Sequence, residues 1–297
     1  MPEGHTVHAL AERLSRCFGG HPVAVSSPQG RFAQAAALVD GHDLIAATSA
    51  GKHLFLEFDH DGEPVDRFVH VHLGLIGSFV VRRLDSVELD GTGAVPVVGA
   101  VRLRLANPAY VADLRGPNLC QLVNGEDVAS VVAGIGPDPL RQDADPDRAW
   151  RRISRSGRSI ADLLMDQSVL AGVGNVYRSE VLFRQRLAPL TPGSRLRPAS
   201  WRALWSDLVM LMPLGVAFGQ ILTMPDQVQE ARRIVGTPEQ VAHMEALTGE
   251  ALGTWFPREF FVYRRADQPC RVCGSSIRTQ VVAGRNLFWC GRCQRRR

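Results

Sequence analysis

Residues 163–183 read LLMDQSVLAGVGNVYRSEVLF. Apolar residues recur at helical spacing on both flanks, and the centre, AGVGN, is built of small residues that interrupt the pattern. The stretch therefore predicts a helix, tight turns and a second helix that begins at Asn175. Glycines in such a turn let backbone amides approach another group closely. Amides exposed at a helix start suit a phosphate, whereas Asn175 could equally serve as an ordinary N-cap.

Working outward, the C-terminal side carries Cys270, Cys273, Cys290 and Cys293 in a C-x2-C-x16-C-x2-C pattern. Two such pairs form a tetrahedral thiolate cage for one Zn2+, and four thiolates leave no open position for water, so a structural site is expected. Two disulfides are the alternative, which a cytosolic chain disfavours. The intervening GSSIRTQVVAGRNLFW reads as strand, glycine turn and strand, a zinc ribbon. Cys17 and Cys120 read as buried small hydrophobes.

On the N-terminal side, Val7, Leu10, Leu14 and Phe18 mark a first helix over 4–18. From 21 to 125 come short β-rich runs: HPVAVSS, HDLIAATS, KHLFLEF, DRFVHVHLGLIGSFVV, VRLRLA and LCQLV. They predict a sandwich or barrel. GIGPDPL at 134–140 is a break. Helices follow at 147–165, 175–187, 198–213 and 238–248, with 220–257 interrupted by Pro225, Pro238 and Pro257. The expected fold class is multidomain α+β, divided as 1–130, 131–257 and 258–297.

Composition is that of a globular protein, with 45% hydrophobic and 22% charged residues. The longest apolar run, Leu208 to Phe218, is too short to span a bilayer, and no signal-peptide pattern is present. A cytoplasmic protein with no membrane partner is expected. Residues 258–297 hold ten arginines against Glu259 and Asp267, a local net charge of +8, and RRISRSGR at 151–158 adds a second cluster. Concentrated arginine suits a polyanion such as nucleic acid, or a solvated tail. Of the 34 basic residues, 33 are arginine, and the single lysine is Lys52. One compact ammonium kept among guanidiniums suggests a site where the two are not interchangeable.

The chain begins MPEGHTVHAL. Pro2-Glu3, Lys52 in GKHLF, HLGLIG at 72–77, the AGVGNVY turn and a four-cysteine ribbon containing GRNLFWC occur in this order. Together they resemble the Fpg/Nei family of bifunctional DNA glycosylases, and the Pro-Glu-Gly start resembles the endonuclease VIII branch. The resemblance covers 1–84, 101–190 and 255–297, and is weak at 85–100 and 191–254. It implies an N-terminal β-sandwich, a helix-two-turns-helix module, and damaged DNA bound between them by a monomer.

With Met1 removed, Pro2 would offer a secondary amine able to attack C1′ of a damaged nucleotide, with Glu3 moving protons beside it. The bland reading of both is a helix start. The resemblance implies that Lys52 contacts phosphate and assists catalysis, that Asn175 and Arg285 bind phosphate, and that Leu75 fills the gap left by a flipped nucleotide. It also aligns Arg115 with an arginine inserted into that gap. Here the chain departs from the formamidopyrimidine branch: DLRGPNL at 113–119 has Pro117 where a phenylalanine is expected. That favours the endonuclease VIII branch and oxidised pyrimidines. The rival readings are an abasic-site lyase without base excision, and a non-catalytic DNA-binding zinc protein. A zinc-ribbon RNA-binding factor would need stacking aromatics on a sheet, and Phe288 and Trp289 read more simply as the ribbon's core.

Overall fold

The computed structural model describes residues 2–60, 63–91, 93, 95–246 and 253–295. Contacts divide the chain into two units. One holds Pro2, Thr6–Ala133 and a return segment from Pro238; the other holds Glu3–His5, Gly134–Thr237 and the chain from Gly253 onward.

The first unit contains most of α1 (Gly4–Phe18), then β1 (Ala24–Ser26), α2 (Ala33–Ala37), β2 (Asp43–Ala50), β3 (His53–His60), β4 (Glu63–His72), β5 (Ser78–Arg83), β6 (Val101–Ala106), β7 (Tyr110–Arg115), β8 (Leu119–Val123) and α3 (Gly125–Gly134). Two antiparallel four-stranded sheets form, ordered β2-β3-β4-β8 and β1-β6-β7-β5. The inward positions of one sheet (Leu54, Leu56, Val69, Val71) and of the other (Val81, Leu103, Leu105, Leu114) share one core with the α1 stripe Val7, Leu10, Leu14 and Phe18. Burial of each such side chain contributes about 1.5–3 kcal/mol. The alternation on β6 shows the division, with Val101, Leu103 and Leu105 inside and Arg102 and Arg104 outward. The result is a sandwich, not a barrel.

The second unit contains α4 (Pro146–Ile153), α5 (Ile160–Leu163), α6 (Asn175–Arg184), α7 (Pro198–Phe218) and α8 (Pro225–Ile234), and ends in the hairpin β9 (Ile277–Val282) and β10 (Arg285–Cys290); α9 (Pro238–Ala246) belongs to the first unit's return segment. Its core gathers Ile153, Leu164, Tyr177, Leu182, Trp201, Leu208 and Leu211 around α7. A smaller cluster of Val176, Phe183, Val262, Tyr263, Ile277 and Phe288 joins α6 to the hairpin.

Several elements depart from the sequence expectation. The single helix over 147–165 is two, α4 and α5, because Ser159 caps a fresh start by accepting from the Asp162 amide at 3.2 Å. The helix expected to stop at Pro213 runs through it to Phe218 and ends at left-handed Gly219. Strand β7 and helices α2, α3 and α8 had no counterpart in that expectation. Cys17 is buried, but Cys120 is only partly so. Among the described residues no helix is long and apolar enough to cross a membrane.

Candidate active site and nucleic-acid interface

In the second unit, Glu3 has no solvent exposure. Its carboxylate accepts the Gly174 amide at 3.0 Å, the Val176 amide at 2.8 Å and the Tyr177 amide at 3.3 Å. These are the orphan donors at the start of α6, so the chain's own carboxylate occupies the place where the sequence suggested a phosphate. Asn175 is not the cap; Gly174 holds that position without a side-chain bond. The glycines are needed for the approach. A Cβ on Gly174 would lie 2.7 Å from Glu3 Oε1 and closer still to its Cγ and Cδ. The Gly4 amide donates to the Gly172 carbonyl at 2.7 Å, with the two backbones in contact.

Helix α6 is also the anchor of the ribbon. Asn175 Nδ2 donates to the Asn286 carbonyl at 2.9 Å, and its Oδ1 accepts from Arg178. Arg178, fully buried, donates to the Val282 carbonyl at 3.2 Å, and burial pushes its guanidinium down to about 10. These two bonds grip the β9–β10 hairpin on either side of its Ala283-Gly284 turn, immediately after which stands Arg285. Both turn residues have positive φ, 52° and 68°, which suits a two-residue hairpin loop. Arg285 is partly exposed, and its guanidinium donates to the Gly284 carbonyl of its own turn at 3.0 Å. Further along α6, the buried Glu180 carboxylate accepts the amides of Phe261, Val262 and Tyr263 at 2.8–2.9 Å and the Thr223 hydroxyl at 2.8 Å. Burial raises its carboxyl above the usual range, against the pull of those donors.

The four cysteine Sγ atoms lie within 4.8 Å of one another. Cys270 and Cys293 are separated by 3.9 Å and Cys273 and Cys290 by 3.4 Å. A tetrahedral zinc with bonds of about 2.3 Å requires sulfurs about 3.8 Å apart. Amides of Val272 and Cys293 point at Cys270 and Cys290 Sγ, at 3.5 and 3.4 Å, as donors to thiolates. The donor set fits zinc.

In the first unit, Lys52 follows Gly51 in a two-residue turn between β2 and β3, with Gly51 at φ 59°. Three histidines on the same sheet surround the turn. His53 Nδ1 and His70 Nε2 are 2.9 Å apart, one donating and the other accepting, and the His53 ring lies 5.1 Å from that of His72. Burial first, then neighbouring His70, His72 and Lys52, pushes His53 down to about 4; burial, then His72, does the same to His70. Burial and Lys52 also lower His72. The rings are neutral at pH 7. Well above pH 6.5 folded and unfolded chains both hold them neutral. Below it the unfolded chain takes up protons that the folded one refuses, so stability is lost as pH falls towards about 4. The expected result is a urea midpoint that drops less between pH 6.5 and about pH 4.5 in His70→Gln than in the unmodified protein. Equal drops would remove the pair as the cause.

The loop 73–77 presents Leu75, 49% exposed, and Ile76, 86% exposed. Its companion turn, 116–118, lies against it. A Cβ on Gly74 would meet Asn118 Oδ1 at 2.6 Å, and one on Gly77 would meet the Gly116 carbonyl at 3.0 Å. Arg115 ends β7 and donates to Asp113 and to the Val98 carbonyl, both at 2.8 Å. The guanidinium is thus held on the sheet.

Comparison with known proteins follows the same division. Residues 1–117 match the formamidopyrimidine-DNA glycosylase N-terminal domain, 135–226 its H2TH domain, and 267–296 the zinc finger found in FPG and IleRS. Endonuclease 8 1 of Mycobacterium tuberculosis is 47% identical over 99% of this chain and 100% of its own length. The chain belongs to the Fpg/Nei family. Within the Fpg/Nei family, the formamidopyrimidine-DNA glycosylase of Corynebacterium aurimucosum is 30% identical over 100% of this chain and 97% of its own. MutM (Fpg) from Thermus thermophilus superposes with a TM-score of 0.73 at 26% identity, covering 99% of this chain and 98% of that one. Lactococcus lactis Fpg, solved with abasic-site DNA, shares the fold with a TM-score of 0.75 at 20% identity, covering 99% and 100%. The fold is Fpg-like, with an N-terminal domain, an H2TH domain and a zinc finger.

Sequence reasoning passed over Arg178, Glu180, His53, His70 and Ile76. The alternating HVH of β4 and the apolar pair between Gly74 and Gly77 were the available signals for His70 and Ile76. Arg178 and Glu180 lie at helical positions that read as surface. In this Fpg/Nei protein Gly174→Ala is expected to displace Glu3, destabilising the fold by about 1–3 kcal/mol. Thermal melting checks this, and an unchanged melting temperature would mean that the Glu3 seat tolerates a methyl group.

Proposed function

We propose that the protein excises oxidised bases, with oxidised pyrimidines as the preferred class, and then cuts the strand at the resulting abasic site by elimination. The observation that carries this reading is the seat of Glu3. A buried carboxylate held by three amides stands directly after Pro2, where an amine catalyst needs a fixed proton acceptor. Those donors fix the direction of both carboxylate oxygens.

With Met1 removed, the Pro2 nitrogen attacks C1′ of the damaged nucleotide. The bond from C1′ to the base breaks, its electron pair leaves with the base, and the base takes the proton that the Pro2 amine gives up. The C1′–O4′ bond then opens with its electron pair on O4′, which takes a proton from water, and an iminium joins Pro2 to C1′. The iminium acidifies the C2′ proton, which Glu3 is placed to take, and elimination expels the 3′ phosphate. The start of α1 behind Pro2 favours the neutral amine and attracts phosphate. Lys52 supplies a compact positive charge for the backbone, and the neutral histidines around it add no charge of their own. Asn175 and Arg285 supply further phosphate donors. Leu75, with Ile76 beside it, fills the space left by the flipped nucleotide.

Three segments carry this work: a catalytic 1–130, an H2TH 131–257 and a ribbon 258–297. The cysteines hold one structural zinc, since four thiolates leave no position for substrate. The reading further takes the protein to be a monomer that works on DNA in the cytoplasm.

Borohydride trapping tests it. The protein is incubated with one oligonucleotide carrying an abasic site and another carrying an oxidised pyrimidine, and cross-linked peptides are mapped by mass spectrometry. Cross-links at Pro2 on both support the reading. A cross-link at Lys52 would replace the nucleophile, and trapping on the abasic site alone would leave a lyase. Arg285→Ala gives an independent check. It is expected to weaken duplex binding by about 1–3 kcal/mol while leaving the melting temperature unchanged. Unaltered affinity by fluorescence anisotropy would remove Arg285 from the interface.

A further inference from the structure

Asp113 lies on β7, a central strand of its sheet, with no solvent exposure. Three arginines converge on it. Arg104 reaches Oδ1 through Nε at 2.7 Å and Oδ2 through Nη2 at 2.9 Å, while Arg82 and Arg115 each reach Oδ2 at 2.8 Å. Burial would raise the Asp113 carboxyl, but the bond and charge of Arg104, with Arg115 and Arg82 behind it, hold it below the usual range. One anion cannot satisfy three guanidiniums. The remaining donors go to a passing segment of main chain: Arg104 to the Val95 and Pro96 carbonyls at 2.7 and 3.1 Å, and Arg115 to the Val98 carbonyl at 2.8 Å. Residues 95–98 are thereby strapped to the sheet by charge-assisted bonds.

The position of Arg115 gives the hub its reach. Its backbone pairs with Ser78, the first residue of β5, immediately after the turn that presents Leu75 and Ile76. On its other side begins the 116–118 turn, whose Asn118 amide donates to the His72 carbonyl at 2.9 Å, just ahead of the same loop. Fixing Arg115 therefore fixes both ends of the Leu75–Ile76 turn. Entering a base stack would oblige its guanidinium to leave Asp113 and Val98 together, returning a buried carboxylate to partial satisfaction.

We propose that Arg115 is a positioning residue, tethered through Asp113 and the 95–98 strap, which holds the Leu75–Ile76 turn in place and does not itself enter the gap opposite the unpaired base. This rests on the proposed action on duplex DNA, and it departs from the inserted-arginine role that the family resemblance implies. Two aliphatic side chains then meet the orphaned base. They carry no donor or acceptor, so they cannot tell one base from another.

The test follows the Arg115 Nε–H by NMR, assigned by its loss in Arg115→Lys, in the free full-length protein and as a duplex with an abasic analogue is added. The tether predicts a signal protected from solvent exchange that stays in place while Arg285 responds. An unprotected signal, or one that moves on duplex binding, overturns it. In parallel, cleavage of an abasic site is timed opposite each of the four bases. The unmodified protein and Arg115→Ala should both show rates within roughly threefold across the four. Asp113→Asn should lower duplex cleavage as Arg115→Ala does, roughly tenfold, with cleavage of the single-stranded oligonucleotide unchanged in both. An opposing-base ratio skewed fivefold or more by Arg115→Ala alone would make Arg115 a reader and overturn the proposal. If no duplex is bound or cut, the proposed function fails, and the protection of Nε–H in the free protein still decides the tether.

Discussion

Replacing Pro2 with glycine is expected to lower excision and strand cleavage together by at least about 10³-fold, the scale of losing a covalent nucleophile. Glycine keeps a terminal amine, but a primary one on a freely rotating residue. The proline ring fixes the nitrogen against Cα and restricts the direction of its lone pair. Retained binding to an abasic-analogue duplex would separate this loss from a folding defect. The contrast with Glu3→Gln is informative. Glutamine preserves the size of the side chain but has one acceptor oxygen where the carboxylate uses both, so it keeps either the Gly174 and Tyr177 amides or the Val176 amide, and it cannot take a proton from carbon. It should allow trapping on Pro2 while slowing strand cleavage by about 10²–10⁴-fold. Single-turnover assays on the two substrates check both variants. Near-normal cleavage by Pro2→Gly would exclude the proline amine as the nucleophile.

The second large effect concerns the four cysteines. Cys290 is fully buried in the small cluster that also holds Ile277 and Phe288. That cluster is too small to order the hairpin alone, and a structural zinc contributes about 10–16 kcal/mol in isolated finger peptides. Cys290→Ser, or prolonged chelation, is expected to unfold residues 267–295 and release one zinc per chain by elemental analysis. The damage should spread into α6. Arg178 would lose the Val282 carbonyl and Asn175 the Asn286 carbonyl, which leaves a buried guanidinium short of acceptors. Duplex affinity should fall by at least about tenfold. Full activity from zinc-free protein would rule out a required metal.

Some of this was legible in the sequence because the signal was local. The α1 stripe, the break at AGVGN and the paired C-x2-C spacings each lie within a few turns of chain, and the structure has α1 over Gly4–Phe18 and a helix beginning at Asn175. Strand β7 was not legible for a physical reason. YVADLR carries an aspartate and ends in arginine before Gly-Pro, which reads as a turn. Arg82 and Arg104, on the strands to either side, together with Arg115 on β7 itself, make that aspartate tolerable in a central strand. Pro213 likewise reads as a stop, yet the buried contacts of Leu214, Val216 and Phe218 carry α7 past it. The Glu3 seat was visible in halves. Pro2-Glu3 and AGVGN each drew notice, but nothing in either indicated that one receives the other. The roles of Pro2, Lys52 and Leu75 came from resemblance and chemistry; Pro2→Gly tests the first and the mapped cross-links decide between Pro2 and Lys52.

The bond from Gly174 to Glu3 closes across 171 positions of chain, and that from Tyr177 across 174. During synthesis the terminus leaves the ribosome first and must wait for more than half of the protein before its carboxylate has a place to rest. A nascent or truncated chain can expose the amine but cannot seat the acid beside it. On the proposed roles of Pro2 and Glu3, an agent able to break DNA strands is in this way kept inert until the start of α6 has been made, with the ribbon still to come, so the timing of its competence follows the order in which its own residues appear.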